Sequence, residues 1–166
     1  MKFDTRNEET FKNFDNLHKR PTVTNLRKVI GKDLSEKYLK GLRGKLTVRY
    51  GCYREVFIIG DYVFKFPHAI PGYGYDYTLQ FNEREVRKWE KYEDGQHLCP
   101  IEYYSDDYVL VIMKRTMVLE DMKDRAKFYD LIKRAKVSNA FGKFSNDLHY
   151  GNFGLLEDRM VLIDYA

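Results

Sequence analysis

Between Leu46 and Phe66 the chain runs through three short stretches of β-branched and aromatic residues, Leu46–Tyr50, Glu55–Ile59 and Tyr62–Phe66. Only Gly51 and Gly60-Asp61 separate them, so the three read as a meander of antiparallel strands joined by tight turns. The rest of the chain has to be arranged around that sheet. Residues 67–77, punctuated by Pro and Gly, read as a loop. From Leu79 to Tyr92 the period turns helical, with Phe81, Val86, Trp89 and Tyr92 on one face and Asp94-Gly95 as the stop. Pro100 opens a second strand pair, Ile101–Tyr104 and Tyr108–Met113, joined by Ser105-Asp106-Asp107. A long helix is predicted over Asp124–Phe141, with Phe128, Leu131, Ile132 and Ala135 sharing a face. A polar loop, Ser145–Gly151, then leads into a hairpin, Phe153–Leu156 and Met160–Ile163, turned by Glu157-Asp158-Arg159.

Residues 1–44 are polar and helix-friendly, broken at Pro21. A short helix is predicted over Leu34–Lys40, capped by Asp33 with Glu36 three residues on and ended by Gly41. This region is basic. Residues 1–50 hold thirteen Lys and Arg against six Asp and Glu, whereas residues 51–166 hold sixteen against nineteen. A solvated basic helical surface explains that bias more simply than an anionic partner, and nucleic acid is the least favoured partner class. Two cysteines, Cys52 and Cys99, are too few for a disulfide framework and suggest a reducing compartment. The first residues lack an apolar leader and no run approaches membrane-spanning length. A soluble cytoplasmic protein with no membrane partner is expected.

Four places carry chemistry. Gly51, between the first two strands, would let backbone amides come close to a phosphate, although an ordinary hairpin turn accounts for it equally. Lys65, flanked by apolar residues in Val63-Phe64-Lys65-Phe66, alternates onto a half-buried face. An ammonium there needs a partner unless it snorkels from a sheet edge. Within Asn82-Glu83-Arg84-Glu85, Glu85 borders the apolar face of its helix, while Glu83 points about 200° away. Finally, Asp147-Leu148-His149-Tyr150-Gly151-Asn152 precedes, by twelve residues, the hydrophobic strand end Leu162-Ile163-Asp164-Tyr165-Ala166. His149 has no zinc-like spacing to other ligands and is read as structural, as are His97 and Cys99 before Pro100.

Taken in order, over residues 46–166, these motifs resemble a protein kinase, closest in wording to the minimal or atypical kinases of bacteriophages and bacterial effectors. The resemblance implies an α+β, kinase-like fold. Its small lobe would hold a five-stranded antiparallel sheet and one αC-type helix, followed by a much reduced helical C-terminal lobe. Three segments are implied: an N-terminal extension (1–44), the small lobe (45–113) and the reduced lobe (114–166). The resemblance also implies ATP and Mg2+ as cofactors. Gly51 and Lys65 would lie on the phosphates, Glu85 would orient Lys65, Asn152 and Asp164 would hold the metal, and Asp147 would be the catalytic base.

The chain departs from the family in three respects. One glycine stands where kinases usually show two or three, Ser145-Asn146 replaces the usual His-Arg, and the sequence ends two residues after Asp164. The expected function is therefore a minimal phosphotransferase acting on a protein Ser/Thr, a host protein or itself, in the host cytoplasm if derived from a phage or effector. The alternative is a non-catalytic, kinase-derived protein that grips and modulates a host partner. Whether residues 1–44 complete the C-terminal lobe or dock elsewhere is left open by the sequence.

Overall fold

The computed structural model describes residues 8–68, 74–92, 97–118, 125–137, 141 and 150–166. Its centre is the expected five-stranded antiparallel sheet, made of β1 (Thr47–Tyr50), β2 (Arg54–Ile59), β3 (Tyr62–Pro67), β4 (Ile101–Tyr104) and β5 (Val111–Lys114), in the order β1-β2-β3-β5-β4. Gly60, in the left-handed region at φ 54°, makes the two-residue β2–β3 turn that a side chain would strain. The fifth strand starts three residues later than predicted, because Tyr108 takes a positive φ of 58° and the Ser105 side chain and backbone hold the turn through Leu110 and Tyr108.

Strand alternation sends side chains to two separate cores. On one face Phe57, Ile59, Phe64, Phe66 and Ile112 join a buried cluster with Phe14, Leu17, Leu26, Ile30 and Leu39. Those partners come from α1 (Glu8–Lys19) and α2 (Val23–Tyr38) and their flanks, so the basic N-terminal region docks on the back of the five-stranded sheet. The predicted helix over 34–40 is the second half of α2. Thr22 caps α2 by accepting from the Asn25 amide at 3.2 Å, and the helix bends at Gly31, whose φ of 79° only glycine adopts freely. The α1 helix lies in the stretch read as mainly helical, although the sequence reading placed no separate helix there. It is tied to the sheet by His18, whose Nδ1 stands 2.5 Å from Oε2 of buried Glu55; His68 approaches the other oxygen at 3.7 Å.

The opposite face carries the second core, where Val111 and Met113 meet Val86, Leu98, Cys99, Ile132, Phe141, Phe153, Val161, Leu162 and Tyr165. It receives α3 (Gly74–Tyr92), α4 (Arg125–Val137) and the expected C-terminal hairpin, β7 (Phe153–Leu156) and β8 (Arg159–Leu162). Other details differ from the prediction, β8 running one residue earlier than the predicted Met160–Ile163. Residues 74–77, assigned to a loop, are the first turn of α3, and the hairpin gains a third strand, β6 (Met117–Val118), giving the order β6-β7-β8. The α3 stop at Asp94-Gly95 lies outside the described residues, as do the side chains of Phe128 and Ala135.

The two sheets are stapled together. The Cys99 amide donates to Leu162 O at 2.8 Å and the Leu162 amide to His97 O at 2.7 Å, so the residues before β4 run beside β8. His97 and Cys99 thus act in packing, as read from the sequence. Gly154 completes the seam: a Cβ there would come within 2.1 Å of Thr116 Oγ1, which no side chain tolerates without backbone movement.

Candidate functional site

Between the sheets lies a cleft of about 380 Å³, a size suited to a small-molecule ligand. Its apolar walls include Val56, Ile58, Val63, Met113, Val118 and Ile163, and its polar lining gathers Gly51, Arg54, Lys65, Asn152 and Asp164 along with Arg49, Lys114 and Arg115. The register explains the gathering. Val56 pairs with Lys65 across β2 and β3, so Arg54, two residues before Val56, points to the same face.

Lys65 is buried, and its ammonium donates to both oxygens of Glu85, at 2.8 and 2.9 Å, and to Ile163 O at 2.5 Å. Glu85 is fully buried, and also accepts from the Tyr165 amide at 3.4 Å. Glu83, by contrast, faces outward and pairs with Arg87 at 2.7 Å, as the helical spacing required. Asn82 anchors this part of α3 by donating to Tyr108 O at 2.8 Å. Asn152 closes a 3-10 turn (Tyr150–Asn152), is largely buried, and its carbonyl accepts from the Ile163 amide at 2.8 Å. That bond seats Asn152 and Asp164 at the same end of the β7–β8 hairpin.

The sequence reading missed Arg54. Its buried guanidinium donates from Nη1 to Glu85 Oε2 at 2.7 Å and from Nη2 to Asp164 Oδ1. Burial opposes the charge on Arg54, but Glu85 and Asp164 outweigh it and hold the group firmly protonated. For Asp164 burial would raise the carboxyl pKa, yet the charges of Arg54 and Lys65 and the Arg54 hydrogen bond bring it down to about 2. Half of its side chain remains open to the cleft. Lys65, Arg54, Glu85 and Asp164 thus form a four-membered ion network whose formal charge is zero.

Gly51 also lines the cleft, and its amide donates to Arg54 O at 2.9 Å. It closes the β1–β2 turn rather than presenting that N–H outward. Just beyond, Tyr53 lies flat on Phe81 of α3, with ring centroids 4.0 Å apart and planes 6° from parallel. The turn is thereby clasped to the helix that carries Glu85. Of the expected site residues, Gly51, Lys65, Glu85, Asn152 and Asp164 are brought together, whereas Asp147 lies outside the described residues, as does His149, which was read as structural.

No family model matches the chain, and no curated protein is significantly similar to it. Among the solved structures that resemble it distantly is WbdD, crystallised with the kinase inhibitor LY294002, with a TM-score of 0.46 and 17% sequence identity over 75% of this chain. The alignment spans 33% of the WbdD chain, so the present chain corresponds to about a third of its length. Among the described residues no helix is long and apolar enough to cross a membrane, and no three His, Cys, Asp or Glu side chains cluster as metal ligands.

Proposed function

We propose that this chain is a kinase-like phosphotransferase that binds ATP with Mg2+ in the cleft between its two sheets. The observation that carries the reading is the buried Lys65–Glu85 pair at 2.8 Å, seated beneath a cleft that Asn152 and Asp164 enter from the other sheet. Burying an ammonium and a carboxylate together is costly, and replacing them with apolar residues would often stabilise a fold. A lysine held rigidly against a polyphosphate site is a reason to keep the pair.

The donor set also suits the metal. Mg2+ is usually held by one or two protein carboxylates together with substrate phosphates, not by a protein cage. Asp164, half open and ionised across the physiological range, and Asn152 beside it match that pattern. When bound, Mg2+ would neutralise charge on the phosphate oxygens. In this reading Glu85 holds Lys65 toward the α- and β-phosphates, and the apolar strip of Val56, Ile58, Val63 and Met113 takes the base. Asp147 accepts the proton of a protein Ser/Thr hydroxyl. Positioning and electrostatics of this kind supply most of the acceleration in phosphoryl transfer.

A thermal shift with ATP and Mg2+ tests binding. At a ligand concentration a hundredfold above Kd, the folded state should gain about 2.7 kcal/mol. Transfer from labelled ATP should then vanish in Asp147→Asn and Asp164→Ala. No shift at millimolar nucleotide would sink the proposal. A non-catalytic binding protein is the second reading, and the observation favouring it is that Arg54 already engages Asp164. Under that reading partner binding survives Lys65→Met and Asp147→Asn.

A further inference from the structure

Arg54 is superfluous to the pairing of Glu85. Lys65 already reaches both Glu85 oxygens, so a second buried cation against the same carboxylate adds desolvation cost without being needed for neutrality. What Arg54 adds is a cation on Asp164, the open carboxylate of the cleft. Its placement is also fixed from the backbone. Its carbonyl accepts from Gly51, and its neighbour Tyr53 is stacked on Phe81. The side chain can therefore change partners by rotating its own torsions, with the turn held still. Of its five N–H donors, the bonds to Glu85 and Asp164 use two. The guanidinium lines the cleft together with Lys65, Asn152 and Asp164, and its planar fork matches phosphate oxygens as well as carboxylates.

We propose that Arg54 is the site's resident cation, neutralising Asp164 in the metal-free protein and turning to the nucleotide's phosphate oxygens when a divalent ion takes Asp164. This rests on the nucleotide reading of the cleft. Two consequences follow from charge alone. Arg49, Lys114 and Arg115 line the cleft as well, and Arg54 cancels the charge of Asp164, so metal-free nucleotide meets no uncompensated carboxylate and binds without Mg2+ more readily than it would beside a bare Asp164. Free divalent ions, in turn, must displace Arg54 from Asp164, so metal without nucleotide binds poorly.

The test uses the full chain and a fluorescent ATP analogue, titrated in EDTA and in millimolar Mg2+. The wild-type protein should bind in EDTA within about tenfold of its affinity in Mg2+, whereas Arg54→Gln should lose a further tenfold or so in EDTA. Binding in Mg2+ should weaken by a smaller factor in the same variant, about threefold, because the phosphate bonds lost with Arg54 are partly offset by an Asp164 that the metal reaches without displacing a guanidinium. Mn2+ without nucleotide should leave the wild-type melting temperature unmoved and raise that of Arg54→Gln, where Asp164 is released. Should Arg54→Gln fail to fold, Arg54→Lys keeps the charge but loses the fork, and should raise the ratio of the two affinities about threefold. An unchanged ratio in the variant that folds overturns the role of Arg54 while leaving nucleotide binding intact. No binding by wild type in either buffer overturns both.

Discussion

Replacing Glu85 with glutamine would leave Lys65 and Arg54 facing a neutral amide in a fully buried position. Removing one partner of a buried ion pair costs about 3–5 kcal/mol, and the lower end applies here, because Arg54 keeps Asp164 and Lys65 keeps Ile163 O. Lys65→Met should cost less, about 2 kcal/mol, since Glu85 retains Arg54 at 2.7 Å and the Tyr165 amide. The double variant is the informative one. It leaves only the Arg54–Asp164 pair, restores zero formal charge, and should cost about 3 kcal/mol rather than the roughly 5 of the separate changes, a coupling of about 2 kcal/mol. Urea unfolding can be followed through Trp89, the chain's sole tryptophan, which lies one helical turn beyond Glu85 on α3. Strict additivity of the two changes, or a Glu85→Gln protein within about 1 kcal/mol of wild type, would refute the view that these charges act as one network.

Two further predictions concern the seam between the sheets. Burial pushes the Cys99 thiol up to about 12, above the 9.0 of an ordinary thiol, so its contribution is complete below pH 9 and is lost as pH rises toward 12. Between pH 9 and 10 wild type should therefore lose about 1 kcal/mol more than Cys99→Ala in chemical denaturation, and parallel curves would contradict this. Gly154→Ala should cost about 2 kcal/mol through its clash with Thr116, lowering the melting temperature by roughly 4–8 °C, with partial recovery on adding Thr116→Gly. A melting point within about 1 °C of wild type would show that the seam has room to spare.

The strands were legible because turn residues bracket them: Gly60-Asp61 and Ser105-Asp106-Asp107 stand where the backbone reverses. Lys65 and Glu85 were legible because each breaks or borders an apolar pattern, which singles out a charge bound for the interior. Two-residue β6 was not, since no periodicity can be read from Met117-Val118. Nor were the bounds and docking of α1, a polar helix whose apolar contacts at Phe14 and Leu17 make sense only once a sheet face is present to receive them. Arg54 hid for a different reason. Its partners lie 31 and 110 residues away, and an arginine beside a glycine turn reads as solvated. A signal was nevertheless there: strand alternation and the β2–β3 turn put Arg54 on the same face as Lys65.

The staple between the residues before β4 and β8 bears on how the cleft can move. Because Cys99 and Leu162 are joined amide to carbonyl, and Lys65 is tied to Ile163 O, the carboxylate of Asp164 travels with the five-stranded sheet as a single body. Closing on a ligand by rocking one sheet against the other would have to break that ladder. The cleft is better regarded as a fixed socket, in which recognition proceeds by exchanging charges among side chains.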